Sequence, residues 1–191
     1  LTPAKFLELK RHVEGVHGAV YWIVDKLEHD HAEAQAGRRD REKRVPRAWL
    51  DTPGVDCFGF YSTFSHFRAW RYEDLIGKYR YLVQRSHEAG ARMLLPVHPG
   101  HDNSRFRTDP FIMPRRGGQT LRDYLRAAED ARADIIMVTS WNEWPETTVV
   151  EPSTTWSDPY LYLRILADWK GIPFKDPGPP PGVGRRQSQP S

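Results

Sequence analysis

The sequence predicts an α/β fold with a parallel β-sheet. Four short, continuous apolar runs are each followed by a stretch that reads as a loop and a helix. Continuous apolar runs are typical of parallel strands that are buried on both faces, and their alternation with helices indicates crossover connections of one hand. A doubly wound sheet and a barrel both satisfy this pattern.

The N-terminal segment is predicted to be a helix, because Thr2 can cap it and Pro3 suits its first position. Its apolar residues recur at helical spacing before Gly15, and they are Phe6, Leu9 and Val13. The first strand is predicted over Ala19–Val24 and ends on Asp25.

The second strand is predicted over Cys57–Tyr61 and ends at Ser62. Cys57 is the single cysteine and lies in an apolar run, which favours a buried thiol. A helix follows from about Tyr72 to Ala89, with Gly90 as its stop. The residues on its inward face are Leu75, Tyr79 and Leu82.

The third strand is predicted over Arg92–Val97 and ends at His98. A long loop runs through Pro110 and Pro114 to a helix that Thr120 is expected to cap. The predicted inward residues of this helix are Leu121, Tyr124, Leu125 and Ala128.

The fourth strand is predicted over Ile135–Ser140, followed by a polar loop. Asp158 is expected to cap the last helix, with Pro159 at its first position. Its predicted buried residues are Leu163, Leu166 and Ala167.

The four units form one predicted domain over residues 1–175. The tail, residues 176–191, is rich in Pro, Gly, Ser and Gln and is expected to be disordered. The charged segment Arg38–Arg47 is interpreted as a solvated loop or exposed helical turn rather than a binding patch.

Charge and hydropathy exclude two classes of partner. The 28 Lys and Arg stand against 25 Asp and Glu, a net charge of +3 that is weak evidence for nucleic acid, and we predict no nucleic-acid partner. No apolar stretch approaches the roughly 18 residues that a membrane span needs.

The chain begins at Leu1, so we expect a processed or truncated piece. The compartment is open; a signal sequence on the whole protein would make it secreted or associated with the cell envelope.

Functional residues are expected where the strands end, because active sites of parallel α/β folds form at that edge. The densest polar cluster follows the fourth strand. It holds two carboxylates three residues apart, Glu143 and Glu146, with Trp141 and Trp144 close by and Asn142 as a possible donor. Cleavage of a glycosidic bond needs one group for proton transfer and another for the developing positive charge, and aromatic faces suit sugar rings. A merely solvated acidic rim explains the spacing equally well.

Pro145 disfavours a helix for Trp144, so the glutamates are predicted to lie on an extended turn. A carboxylate separation of about 5 to 5.5 Å would indicate retention, and one of about 6.5 to 9.5 Å inversion.

Residues Asn142–Pro152 (NEWPETTVVEP) resemble the Asn-Glu-Trp-His-Glu-Gly-Thr-Gln-Ile-Glu-Pro signature of glycoside hydrolase family 99. The family 99-like (WbsX-like) proteins of polysaccharide gene clusters share the Asn-Glu-Trp core. Three further segments resemble family motifs in the right order: Phe58–Phe64, Val97–Asp102 and Pro114–Gly118.

This resemblance implies the C-terminal portion, about four β/α units, of a (β/α)8 barrel, with the N-terminal half in the full-length chain. It also implies a retaining endo-α-mannosidase that needs no cofactor and no metal. Glu143 would be the base toward the substrate's own 2-hydroxyl, which attacks the anomeric carbon, and Glu146 the acid/base at the leaving oxygen. The residues expected to contact the carbohydrate are Tyr61, His98, His101, Trp141, Asn142, Trp144 and Glu151.

The sequence departs from the family near the sugar, which leaves the sugar and linkage open. Pro145 replaces a His, Thr147 a Gly, Val149 a Gln and His101 a Tyr. A metal site at His98, His101 and Asp102 is disfavoured because a third His is lacking nearby. The main alternative is a non-catalytic carbohydrate-binding barrel fragment involved in polysaccharide biosynthesis.

Overall fold

The structure is a computed structural model that describes residues 1–26, 28–29, 43–62 and 70–178. The strands are β1 (Ile23–Asp25), β2 (Glu28–His29), β3 (Lys43–Arg44), β4 (Cys57–Gly59), β5 (Arg92–Val97), β6 (His101–Asp102), β7 (Ile112–Met113) and β8 (Ile135–Val138). The helices are α1 (Pro3–His17), α2 (Arg47–Leu50), α3 (Tyr72–Glu88), α4 (Gln119–Asp130) and α5 (Leu161–Lys170).

The main sheet has four parallel strands in the order β1-β4-β5-β8. Strand order follows chain order without the reversal that defines a doubly wound sheet, so each strand lies beside the next one along the chain, as in a barrel wall. The register pairs Val24 with Phe58, Phe58 with Met93, and Leu95 with Ile136. The carboxyl ends of the four strands therefore share one edge. Two antiparallel pairs, β2 with β3 and β6 with β7, lie outside this sheet.

The core lies between the sheet and helices α3 and α4. Both predicted inward faces are confirmed, because Leu75, Tyr79 and Leu82 of α3 and Leu121, Tyr124, Leu125 and Ala128 of α4 are buried. The Tyr79 and Tyr124 rings meet edge to face with centroids 6.2 Å apart. Cys57 is buried, as predicted. Each large apolar side chain buried here contributes about 1.5–3 kcal/mol to stability.

The first predicted strand was too long and too deeply buried. It covers Ile23–Asp25 rather than Ala19–Val24, and 49% of Ile23 is exposed. Within the described residues β1 is an edge strand paired only with β4, so one flank carries no neighbour. The second and fourth strands also end two residues early, at Gly59 and Val138.

Thr2 caps α1 as predicted, since its side chain accepts a hydrogen bond from the Lys5 amide. The predicted stop at Gly15 was wrong. The helix runs to His17 and ends at Gly18, which has a φ of 78° and donates its amide hydrogen to the Glu14 carbonyl. Glycine adopts this positive φ without steric cost, which makes Gly18 the better helix end.

Two predicted caps were also wrong. Thr120 lies inside α4, and its hydroxyl donates to the Pro114 carbonyl, while Gly118, with a φ of 89°, precedes the helix.

The Asp158 carboxylate, predicted to cap α5, accepts from the Tyr160 amide and closes a turn ahead of that helix. The helix begins at Leu161. The fully buried residues are Tyr162 and Ile165, whereas Leu163, Leu166 and Ala167 are half-buried.

Parts of three sequence predictions lie outside the described residues: 38–42 of the segment Arg38–Arg47, 63–64 of the segment Phe58–Phe64, and 179–191 of the tail. The domain boundary at residue 175 stays a prediction. Across the described helices, none is long and apolar enough to cross a bilayer.

Candidate active site

The predicted site residues gather at the edge where the parallel strands end. Tyr61 comes shortly after β4, and His98 directly follows β5. The two glutamates lie in the segment after β8, residues 139–151, here named the rim loop. The parallel sheet thus brings positions that are far apart in sequence to one rim.

Ser140 ties the two ends of the rim loop together. Its amide donates to the Thr148 carbonyl at 2.9 Å, and its carbonyl accepts from the Val150 amide at 3.1 Å. Its hydroxyl pairs with that of Thr148 at 2.8 Å and accepts from the Glu143 amide at 3.0 Å. Between these contacts the chain forms a turn over residues 144–147, which confirms the prediction that the glutamates are not on a helix.

Glu146 is held against the loop that follows β5. Its backbone carbonyl accepts from the Asp102 amide at 2.9 Å, and 28% of its side chain is exposed. Burial raises the pKa of the Glu146 carboxyl, the negative charge of Glu143 raises it further, and Arg107 opposes both. These causes favour the protonated form of Glu146.

Tyr61 faces both glutamates. Burial raises the pKa of its hydroxyl, as do the charges of Glu143 and Glu146, while a hydrogen bond with Ser140 lowers it. The Tyr61 backbone is fixed on both sides, because its amide donates to the Asp25 carboxylate at 3.2 Å and its carbonyl accepts from the Thr139 hydroxyl at 3.0 Å. Tyr61 is therefore a neutral hydroxyl beside two carboxyl groups.

The structure does not bring the two histidines to the open face. His98 is fully buried and meets the Tyr124 ring edge to face at 5.2 Å. Burial lowers the pKa of His98 to about 3, and a backbone hydrogen bond with Thr139 opposes this. His101 is equally enclosed, with its ring 5.9 Å from that of Phe111. Within the described ranges no three His, Cys, Asp or Glu side chains gather as a metal site would require.

Two tryptophans of the rim loop are exposed. Trp141 and Trp144 are 55% and 43% exposed, and Asn142 is also exposed. The Trp144 indole N–H donates to Glu151, and its ring stacks on Trp156 at 6.3 Å with an angle of 10° between the planes. Glu151 thus orients a tryptophan of the site.

Sequence reasoning missed three supporting residues: Ser140, Arg115 and Trp156. Arg115 donates to the carbonyls of Thr147 and Val149 on the rim loop. The only sequence signal for Arg115 was its place in Pro114–Gly118, one of the segments that resemble family motifs. Trp156 lies in an irregular segment and had no such signal.

Known proteins share this architecture. The sequence model of a family described as "Glycosyltransferase WbsX" matches residues 13–164. A solved structure of the GH99 endo-α-mannosidase from Bacteroides thetaiotaomicron aligns with a TM-score of 0.64 and 19% identity, covering 89% of this chain and 50% of that one. A second, in complex with bis-tris-propane, aligns with a TM-score of 0.61 and 19% identity, covering 89% and 53%. A search of curated proteins found no match.

The chain spans about half the length of these solved structures, which is what a partial barrel requires. At 19% identity these solved structures show similarity of fold only. The family match, in contrast, extends over most of the chain. The predicted resemblance is therefore confirmed: the chain belongs to the WbsX family and forms part of a (β/α)8 barrel like that of glycoside hydrolase family 99.

Proposed function

We propose that the protein is a retaining glycoside hydrolase that cleaves α-mannosidic bonds within a glycan or polysaccharide, with Glu143 and Glu146 as its catalytic pair. One observation carries the proposal: Glu143, Glu146 and Tyr61 lie at the same rim of the sheet, where the charge of Glu143 raises the pKa values of Glu146 and Tyr61. Two carboxyl groups beside a glycosidic bond are the usual requirement for its hydrolysis.

Glu146 takes the role of general acid. Such a group must hold a proton at the working pH, and both burial and the charge of Glu143 act in that direction. Glu143 is the base that removes the proton from the substrate's 2-hydroxyl. The resulting oxygen attacks the anomeric carbon while Glu146 protonates the leaving oxygen, and an anhydro sugar results.

Water then opens the anhydro sugar. Glu146 accepts a proton from the attacking water, and Glu143 returns its proton to the 2-oxygen, so both carboxyl groups regain their starting state. Two inversions at the anomeric carbon give net retention.

The substrate contacts in this proposal come from the exposed groups Tyr61, Trp141, Asn142 and Trp144. The faces of the two indoles suit the apolar faces of pyranose rings. We assign His98, His101 and Glu151 to support of the site, because they are buried or bind a neighbouring side chain. Barrel units outside this chain would supply the rest of the cleft.

A second candidate is glycosyl transfer, which the description of the matched family favours. The same pair of glutamates would then activate a sugar hydroxyl in place of water. The two reactions differ in their products, because hydrolysis releases new reducing ends and transfer yields a new glycosidic bond.

The test is an assay of the full-length protein that carries this chain, on α-mannan and on bacterial exopolysaccharide. Changing Glu143→Gln or Glu146→Gln should each reduce cleavage by about 10²- to 10⁴-fold, the usual contribution of a general acid or base. Glu129→Gln, on the exposed face of α4, is the matched control and should cleave like the wild type.

Cleavage that persists in both site variants would overturn the proposal. Glycan binding without turnover in the wild type would support the carbohydrate-binding alternative instead. Longer products in place of shorter ones would favour transfer.

A further inference from the structure

Arg115 lies behind the rim loop and binds its backbone at two points. Its Nη2 donates to the carbonyl of Thr147 and, at 2.9 Å, to that of Val149. These carbonyls come one and three residues after Glu146. Since Arg115 approaches from the turn before α4, it joins the loop after β5 to the loop after β8.

Two aromatic rings fix the plane of this guanidinium. Its carbon lies 5.1 Å from the ring centroid of Trp156 and 4.8 Å from that of Tyr162, distances typical of cation–π contacts. Tyr162 is fully buried in α5, so one of the two rings is anchored in the core. Gly100 lies against the arginine stem, and a Cβ there would collide with Arg115.

The charge of Arg115 is directed at carbonyl groups and not at a carboxylate. Among the described residues no ion pair involves Arg115, whereas the adjacent Arg116 pairs with Asp123 at 2.8 Å. A guanidinium offers several donors in one plane, which suits simultaneous binding of two carbonyls on one loop.

The backbone at Thr147 explains why the loop needs such a contact. Thr147 has a φ of 52°, in the left-handed region that β-branched residues rarely occupy. A residue in this conformation is retained only where its surroundings hold it. Arg115 binds the carbonyl of this residue, directly beside Glu146.

We propose that Arg115 is a positioning residue that holds Glu146 at the site by fixing the Thr147 and Val149 carbonyls. Without it, the turn relaxes toward solvent, and Glu146 loses the partial burial that raises the pKa of its carboxyl group. The catalytic consequence rests on the proposed function, whereas the effect on the carboxyl group of Glu146 does not.

The test is titration of Glu146 by carboxyl ¹³C NMR in the full-length protein, with the signal assigned by its loss in Glu146→Gln. Arg115→Lys keeps the charge but removes the two N–H groups of Nη2 that bind the Thr147 and Val149 carbonyls. The pKa of Glu146 should therefore fall toward the ordinary value for glutamate. Arg116→Lys is the matched control and should leave that pKa unchanged. Thermal unfolding of both variants checks that they are folded.

Thr147→Gly provides a second, independent variant. Glycine adopts a positive φ without support. In the Arg115→Lys background it should therefore restore part of the lost pKa shift. If the proposed function holds, Arg115→Lys should also lower kcat at least tenfold with KM changed less than threefold, and shift the alkaline limb of the pH profile to lower pH.

An unchanged pKa of Glu146 in Arg115→Lys, or an equal fall in Arg116→Lys, would overturn the positioning role. A lowered pKa in a protein that cleaves no glycan would support the positioning role while the proposed function fails.

Discussion

The imidazole Nδ1 of His101 lies 4.0 Å from the carboxylate Oε2 of Glu146, and only 1% of the His101 side chain is exposed. Burial lowers the pKa of His101, so its ring is neutral at neutral pH. A positive imidazolium at this distance would lower the pKa of Glu146, whereas a neutral ring leaves it raised. The site thus places an uncharged base beside the carboxyl group that is to carry a proton.

Changing Glu143→Gln should lower the pKa of Glu146, because the negative charge of Glu143 is the second largest cause that raises it. Burial remains, so the pKa should stay above that of an exposed glutamate. Carboxyl ¹³C NMR measures the shift, with Glu129→Gln as the control. In the wild type, activity should fall as pH rises through this pKa, because Glu146 then loses its proton. An identical pKa in Glu143→Gln and wild type would mean that the two carboxyl groups do not interact.

Changing Tyr61→Phe should reduce kcat/KM by about 10- to 100-fold, the effect of losing one hydrogen bond to a charged group. The raised pKa of Tyr61 keeps its hydroxyl protonated, and thus able to donate, at any working pH. Tyr81→Phe is the control, since this exposed tyrosine lies on α3 and accepts from Arg44. Steady-state kinetics on the cleaved glycan measure kcat/KM for both variants. Equal losses in both variants would remove Tyr61 from the site.

Changing Ser140→Ala should slow catalysis more than it destabilises the fold. The variant loses the contacts to Glu143 and Thr148, and each such hydrogen bond contributes about 0.5–1.5 kcal/mol. Ser153→Ala is a close match, because the Ser153 hydroxyl makes a similar pair of contacts with Thr155 on an exposed turn. Urea unfolding and kcat are measured together. A loss of stability without loss of kcat would give Ser140 a purely structural role.

Changing His98→Phe should reduce the loss of folding stability that accompanies a fall in pH below neutral. The folded-state pKa of His98 is about 3, below the ordinary 6.5, so the unfolded chain binds its proton first. The contribution of the neutral His98 ring to the free energy of unfolding is complete above pH 6.5 and is lost as pH falls toward 3. Between pH 7 and pH 5 the wild type should lose about 2 kcal/mol more than the variant.

Urea unfolding at the two pH values measures this difference. His12→Gln, an exposed position on α1, should keep the dependence of the wild type. Parallel slopes for wild type and His98→Phe would show that His98 does not titrate as a buried group.

The sequence predicted local structure best where one cause among neighbouring residues dominates. The bounds of β5 are those predicted, since an uninterrupted apolar run is typical of a strand covered on both faces. The turn at the glutamates was predictable from Pro145. Both features depend on neighbours within a few residues.

Contacts between distant residues had no such signal. Arg115 and Thr147 are 32 residues apart, and a guanidinium that binds carbonyls leaves no charge partner to find in the sequence. The buried face of α5 was wrong because Leu161–Lys170 (LYLRILADWK) carries apolar residues on most sides, so helical spacing alone does not select one face.

The paired hydrogen bonds at Ser140 have a consequence for divergence within the family. They join the two ends of the rim loop directly, so exposed side chains between them can change while the strand and the following segment stay in place. Surface loops on a rigid scaffold tolerate such replacement well. Related chains can therefore differ at the exposed positions Trp141, Asn142 and Pro145 without repacking the barrel. The exchange does not extend to the buried Thr148 and Val149 or to the two glutamates.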